Sequence, residues 1–525
     1  MSRTSRDLHR RKIAKSLRKL RDLLGRSDDA AFLRLCWAVH MLQSKSPPDV
    51  GRYLKYPAEA ATPRIDAPYS IHAWEIEALA SLLLITPKHV MHPGPNRLFD
   101  CGQFDTMVQA VNILRSIENS EGVVFVAPAD IRMEVHRIGQ RQFEWQRGFA
   151  TTERLYRYAF VYGQGECARY FRETYGLEVS EFILISFALL SHLRTHPWTL
   201  LPDLSPIGVD APSVEKALPL LSRSLPDLAA EVRALVGAAS TSGPSRIAYL
   251  PSALRRFPIV ASPQHGTFLS PLPDLIMFRA TAGLHYDLRN GPQHLMAEAN
   301  GRFEDYVRAL VAGFCPRFNV LPTQPYGPKK YAQETPDVLV KDSGRVVAVL
   351  ECKATKLTFE AQFAENPLEE ARLAYAQIVK GITQLWKFFS HARRGIFHAE
   401  DVAADAIGVL LTMDSWMQIS RELREEVTAR ARKLVETDPE ITDADMRSVV
   451  FCSIQDLSDI LFVSDSDQFL EALAQASKPE YAGWGLREVR RATGGQEVRR
   501  DFPLEVRDVL PWWKSFSRTA EEASS

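Results

Sequence analysis

Glu351 and Lys353 stand two residues apart at the end of an apolar run, Val346-Val347-Ala348-Val349-Leu350, and Asp337 opens the run before it. On a strand, residues two apart leave the same face, so Glu351 and Lys353 point together while Cys352 points away. The runs are joined by Lys341-Asp342-Ser343-Gly344-Arg345, a hairpin-type connection that can bring the Asp337 carboxylate beside Glu351. Two carboxylates, with the backbone carbonyl of Cys352, offer the hard oxygen ligands that Mg²⁺ prefers and leave positions for water and a phosphate. Lys353 would then orient the attacking water, lower its pKa and offset charge growing on a phosphorane-like transition state. That is the chemistry of phosphodiester hydrolysis.

The dipeptide Pro-Asp carries no information by itself, since it also occurs at Asp49, Asp203, Asp227 and Asp274. An acidic residue two positions before a lysine is rarer, and Lys353 alone among the lysines has one. A chain of this composition should still hold such a triplet by chance roughly once or twice. The weight comes from position: charges that end a buried strand must be hydrated, paired or metal-bound, because unpaired burial is costly. Around the hairpin the pattern is helix, hairpin strands, helix, strand, helix, strand. Phe303, Val307, Leu310, Val311 and Phe314 mark the first helix, and Tyr375, Ile378, Ile382, Leu385 and Phe389 the second. Apolar runs at Ile407 to Met413 and Val449 to Ile454 supply the later strands, and the order predicts an α/β core.

Thr335-Pro336-Asp337 followed by Leu350-Glu351-Cys352-Lys353-Ala354-Thr355, with the Glu fourteen positions after the Asp, resembles the signature of the PD-(D/E)XK, or restriction-endonuclease-like, nuclease superfamily. The resemblance covers about residues 293 to 455. It implies a mixed central sheet flanked by helices, Asp337 and Glu351 as ligands of Mg²⁺ (with Mn²⁺ able to substitute), and Lys353 as the catalytic lysine. Gly301-Arg302-Phe303-Glu304-Asp305 resembles the preceding helix, in which many members carry a further acidic ligand, and Glu304 is the matching position; its bland alternative is an ion pair with Arg308. Gln377 and Gln384, which share a face with Lys380, resemble the Gln-bearing helix that closes the site in several subfamilies. Lys329 and Lys330, between Tyr326 and Tyr331, are candidate phosphate contacts with a tyrosine to stack on a base, and Lys356 joins them.

The 525 residues hold 64 Lys and Arg against 64 Asp and Glu, so net charge is zero and a general polyanion-coating protein is disfavoured. Any contact with a polyanion must be local. The first 26 residues are the exception, with ten basic residues against Asp7 and Asp22, and Ile13, Leu17, Leu20 and Leu24 at helical spacing. A solvated helix docked by its leucines competes there with a nucleic-acid contact. The six cysteines show no C-x-x-C spacing and fit a reducing cytoplasm. The longest nearly apolar run, Phe182 to Leu190, is half a membrane span and reads as a buried helix.

The region 1–245 reads as mostly helical, and Gly163-Gln164-Gly165-Glu166-Cys167-Ala168 is discounted as a dinucleotide motif because a helical pattern precedes it. His192 and His196 share a face but sit before Pro197 at a helix end, with no Glu after the first His. Ser240 to Ser245 has linker composition, 246–292 reads as a connector, 293–465 as the nuclease, and 466–525 as an extension. The expectation is a cytoplasmic, Mg²⁺-dependent endonuclease on DNA with a helical sensing half, of the kind found in bacterial genome defence, with a phage or host trigger protein and a homodimer as further expected partners and no membrane. A non-catalytic DNA-binding or assembly protein, and a nuclease acting on RNA, are the competing readings.

Overall fold

The computed structural model describes residues 3–89, 99–125, 138, 141, 150–241, 246–250, 252–262, 266–357, 371–415, 421–494 and 496–513. It divides into two compact units, with the break between Gly291 and Pro292. Most of the expected linker at 240–245 lies outside the described residues.

The first unit is mainly helical: α1 (Arg3–Gly25), α2 (Asp29–Leu42), α3 (Ala73–Ile85), α4 (Phe104–Phe125), α5 (Thr152–Tyr162), α6 (Gly165–Tyr175), α7 (Val179–Leu193), α8 (Ala211–Leu221), α9 (Leu225–Thr241), α10 (Asp274–Ala280) and α11 (Leu284–Arg289). Side-chain caps start several of these helices: Asp28 accepts from the Ala31 amide, Thr151 from Arg154 and Asp210 from Ser213. Helix α7 buries Phe182, Ile183, Ile185, Leu189 and Leu190, so the apolar run is core. Glu77 and Arg255, both nearly enclosed, form a two-point ion pair at 2.8 and 3.1 Å. A small sheet in the order β1-β4-β3-β2, built from Trp198–Thr199, Thr267–Leu269, Ile259–Ser262 and Ser222–Ser224, was not expected from the sequence. Its strands are two to four residues long, too short to show a period of two. Among the described residues no single helix is long and apolar enough to cross a membrane.

The second unit is built on a five-stranded mixed sheet in the order β11-β10-β9-β8-β5. Strands β5 (Asn319–Pro322), β8 (Val338–Asp342) and β9 (Arg345–Lys353) form an antiparallel meander; β10 (Asp401–Thr412) and β11 (Val449–Ser453) then add parallel. A two-stranded ribbon, β6 (Pro325–Tyr326) and β7 (Gln333–Glu334), precedes β8. Ser343 and Gly344 turn between β8 and β9 with φ of 50° and 86°. Both positive values define the two-residue turn whose twist matches that of the strands, and the pair Asp342 and Arg345 fixes the register.

Helix α12 (Gln293–Phe314) packs across β5, β8 and β9, burying Phe303, Tyr306, Val307, Leu310 and Phe314. Helix α13 (Arg372–Arg393) lies on β9 and β10. It presents Ile378, Ile382 and Trp386 to Leu410, Phe451 and the buried side of α14 (Arg421–Val435), and Leu385, Phe388 and Phe389 to Leu339, Val346 and Val349. The remaining helices are α15 (Ile454–Leu461), α16 (Ser466–Ala476) and α17 (Leu486–Ala492).

Candidate active site

The site begins with strand register. Val338 pairs with Leu350, so one step outward sets Asp337 opposite Glu351. Asp337 Oδ2 accepts a hydrogen bond of 2.6 Å from the Cys352 amide, which ties the start of one strand to the end of the other. Glu351 and Lys353 leave the same face of β9, toward α13, and Lys353 Nζ donates to Glu351 Oε1 at 2.5 Å and to Gln384 Oε1 at 3.3 Å. Glu351 is 2% exposed. Helix α13 therefore contributes a polar contact from Gln384 as well as the apolar floor.

Gly381 explains how the helix comes so close. A Cβ there would stand 2.5 Å from Leu410 Cδ1, 3.0 Å from Lys353 Cε and 3.3 Å from Glu351 Cγ. A side chain there would intrude first on Leu410 and then on Lys353 and Glu351. Sequence reasoning missed Gly381, since a Gly inside a helical pattern reads only as a propensity cost. The adjoining Lys380 and Gln384 were visible; what the residue between them touches was not.

Electrostatics join Glu304, on α12, to the same cluster. Its pKa is pushed up to about 7 by burial, then by Asp337 and Asp305, with Lys353 pulling the other way. Glu351 is pushed up to about 7 by burial and by Asp337, a rise opposed by Lys353 and reinforced by Glu304. Burial also raises Asp337, against the Cys352 amide and Lys353. Repulsion from Asp337 thus reaches both Glu304 and Glu351, and the Lys353 ammonium opposes it at both. The alternative reading of Glu304, an ion pair with Arg308, is not what forms: Arg308 pairs with Asp305.

The oxygen-rich donor set suits a hard divalent cation, and mutual repulsion among the carboxyl groups is what such a cation relieves. Among the described residues no three acidic, His or Cys side chains converge as ligands as they stand. Asp337 spends one oxygen on the Cys352 amide and Glu351 spends one on Lys353. The Cys352 thiol is buried, and burial followed by the neighbouring carboxylates raises its pKa well above the usual thiol value, so it stays neutral.

The other sequence-predicted residues divide. Gln377 and Lys380 are exposed on α13. Lys329 and Lys330 sit on an exposed turn at Lys329–Tyr331, with Lys330 Nζ 5.5 Å from the centre of the exposed Tyr331 ring. Tyr326 is not available to stack on a base: its hydroxyl is 2.8 Å from His391 Nδ1 and its ring packs on Phe388 and Phe397. Lys356, expected at the nucleic acid, is instead buried and pairs with Asp414 at 3.2 Å. The rings of His192 and His196 stack at 4.7 Å just where α7 ends. Gly163 to Ala168 is preceded by helix α5, without the strand that a dinucleotide site needs.

Comparison of the chain with protein-family models, with curated proteins and with solved structures found no match.

Proposed function

We propose that the second unit is a restriction-endonuclease-like nuclease that hydrolyses DNA phosphodiester bonds with Mg²⁺ or Mn²⁺. The observation that carries this reading is the meeting of Asp337, Glu351 and Lys353 at the open end of β8 and β9, with Glu304 electrostatically coupled to them. The antiparallel meander followed by a helix and a parallel strand supports the fold assignment, because it is the arrangement the signature residues imply.

Asp337, Glu351 and Glu304 would hold the cation, whose charge would favour phosphate binding and make a water more acidic. Bonds to Glu351 and Gln384 hold the Lys353 ammonium beside the carboxylates, where it would orient the attacking water. Its charge offsets the negative charge that accumulates on the phosphoryl oxygens. By fold-level analogy the products carry 5′-phosphate and 3′-hydroxyl ends. Lys329 and Lys330, on their exposed turn, would touch phosphates of the backbone.

The test is cleavage of supercoiled and linear DNA by purified wild type and Lys353→Ala with Mg²⁺ or Mn²⁺, with product ends mapped and RNA run beside it. Metal-dependent cleavage by wild type and none by a folded Lys353→Ala protein is the expected result. Equal cleavage by both would overturn the site assignment. DNA retention without products would favour a binding protein, and cleavage of RNA alone would change the substrate. A role in defence, with the helical unit sensing a trigger, predicts that phage plating falls with the wild-type gene and recovers with Asp337→Ala. Equal plating in all strains would remove that role.

A further inference from the structure

Helix α1 carries the strongest local charge in the chain. Between Asp7 and Asp22 it has no acidic residue, while Arg10, Arg11, Lys12, Lys15, Arg18, Lys19 and Arg21 are all exposed. At about 100° per residue, Arg11, Lys12, Lys15, Arg18 and Lys19 fall within roughly one third of the helix circumference. That arc lies opposite the stripe of Leu20 and Leu24, which are fully buried. The leucines are consumed in docking α1 onto α3 and α4, and the basic face is left outward.

Several of these residues repel one another. Arg11 and Lys15, Lys12 and Lys15, Lys15 and Arg18, Lys15 and Lys19, and Arg18 and Arg21 are like-charged neighbours three or four apart. Each such pair is unfavourable on an isolated helix. Nearby acids are engaged at the ends, where Asp7 pairs with Arg10, and Asp22 with Arg26 and His89. Asp22, the acid on the same arc, is already paired, and the cations from Arg11 to Lys19 have no acid among them, which suits an external polyanion.

We propose that the basic face of α1 binds the phosphate backbone of duplex DNA without reading sequence. The arc from Arg11 to Lys19 runs about 12 Å along the helix axis, and its side chains, about 6 Å apart, can meet neighbouring phosphates of the backbone. A lipid surface fits less well, because membrane-surface helices insert their apolar face and here the leucines near the C-terminal end are buried in protein. The choice of DNA rests on the nuclease reading; the phosphate chemistry does not.

The test uses the full chain in EDTA, so that binding is read apart from cleavage. Affinity for a labelled 30-base-pair duplex is measured against salt for wild type and for the triple variant Arg11→Gln, Lys15→Gln, Arg18→Gln. These positions are exposed, Gln keeps helix propensity and the like-charge pairs are relieved, so the fold should be kept with a melting temperature no lower than that of wild type. The salt slope should fall by about three and affinity at moderate salt by at least about tenfold. Unchanged slope and affinity would overturn the proposal, as would binding to phosphatidylserine vesicles but not to the duplex. Wild type that binds in EDTA with the expected slope but never cleaves supports this surface while sinking the nuclease reading; cleavage with triple-variant binding intact does the reverse.

Discussion

Gly381→Ala is the most informative single change at the candidate site, because it adds one methyl group where α13 crosses β9. The new Cβ would sit 2.5 Å from Leu410 Cδ1 and 3.0 Å from Lys353 Cε, so Leu410 must retreat by about 1 Å and Lys353 by several tenths of an ångström to reach ordinary contact. Overpacking of this kind costs about 1–3 kcal/mol, and the helix regains about 1 kcal/mol because Ala replaces Gly, leaving a net loss of roughly 0–2 kcal/mol. Catalysis is more sensitive to the same movement, since a misplacement of about 1 Å can cost a hundredfold. The expectation is therefore a protein that melts within a few degrees of wild type and nicks plasmid ten- to a hundredfold more slowly, with the loss in kcat. Nicking within about twofold of wild type would refute the argument that Gly381 makes room for Lys353. A stability loss well beyond 4 kcal/mol would refute it differently, by showing that the glycine serves the core as a whole.

Other outcomes follow from single contacts. Gln384→Ala removes one of two acceptors from Lys353 and should slow cleavage several-fold, with little change in unfolding midpoint. Lys356→Ala breaks a buried pair with Asp414 and should cost about 3–5 kcal/mol in a urea titration, whereas Lys329→Ala with Lys330→Ala should weaken DNA binding and leave stability alone. Asp456 is pushed up to about 7, chiefly by burial, against the Leu486 amide. Its protonated form is favoured by folding, so its contribution is present below about pH 4 and is lost as pH rises through about 7. Asp456→Asn should match wild type at pH 4 and exceed its stability at pH 8 by on the order of 2 kcal/mol, measured by urea unfolding; lower stability at pH 8 would mean that the carboxylate is net favourable there.

The legible parts of this protein were those set by local repetition, and the illegible parts were those set by approach. Glu351 and Lys353 share a face because a strand alternates, and Asp337 reaches them because a two-residue turn at Ser343 and Gly344 fixes the register; both facts are local. The burial of Ile378, Ile382 and Leu385 follows equally from a 3.6-residue period. Lys356 shows where that logic stops. It lies three residues beyond Lys353 and carries the same charge, yet Asp414, which follows β10, reaches it and turns it inward. Nothing within ten residues of Lys356 announces Asp414. Gly381 is the same case from the other side, since its meaning lies in Leu410 and Lys353, contributed by two different strands. The break at Gly291 and Pro292 has a local sign, a Gly-Pro pair ahead of a helix, but the Ser- and Gly-bearing stretch from 240 to 245 has the more linker-like composition, and α9 runs into its start. A residue's type and spacing can nominate chemistry. Whether its charge faces solvent, a partner or a substrate depends on which distant element arrives beside it, and that is why the carboxylates and lysine of this site could be named before the glycine that lets them sit together.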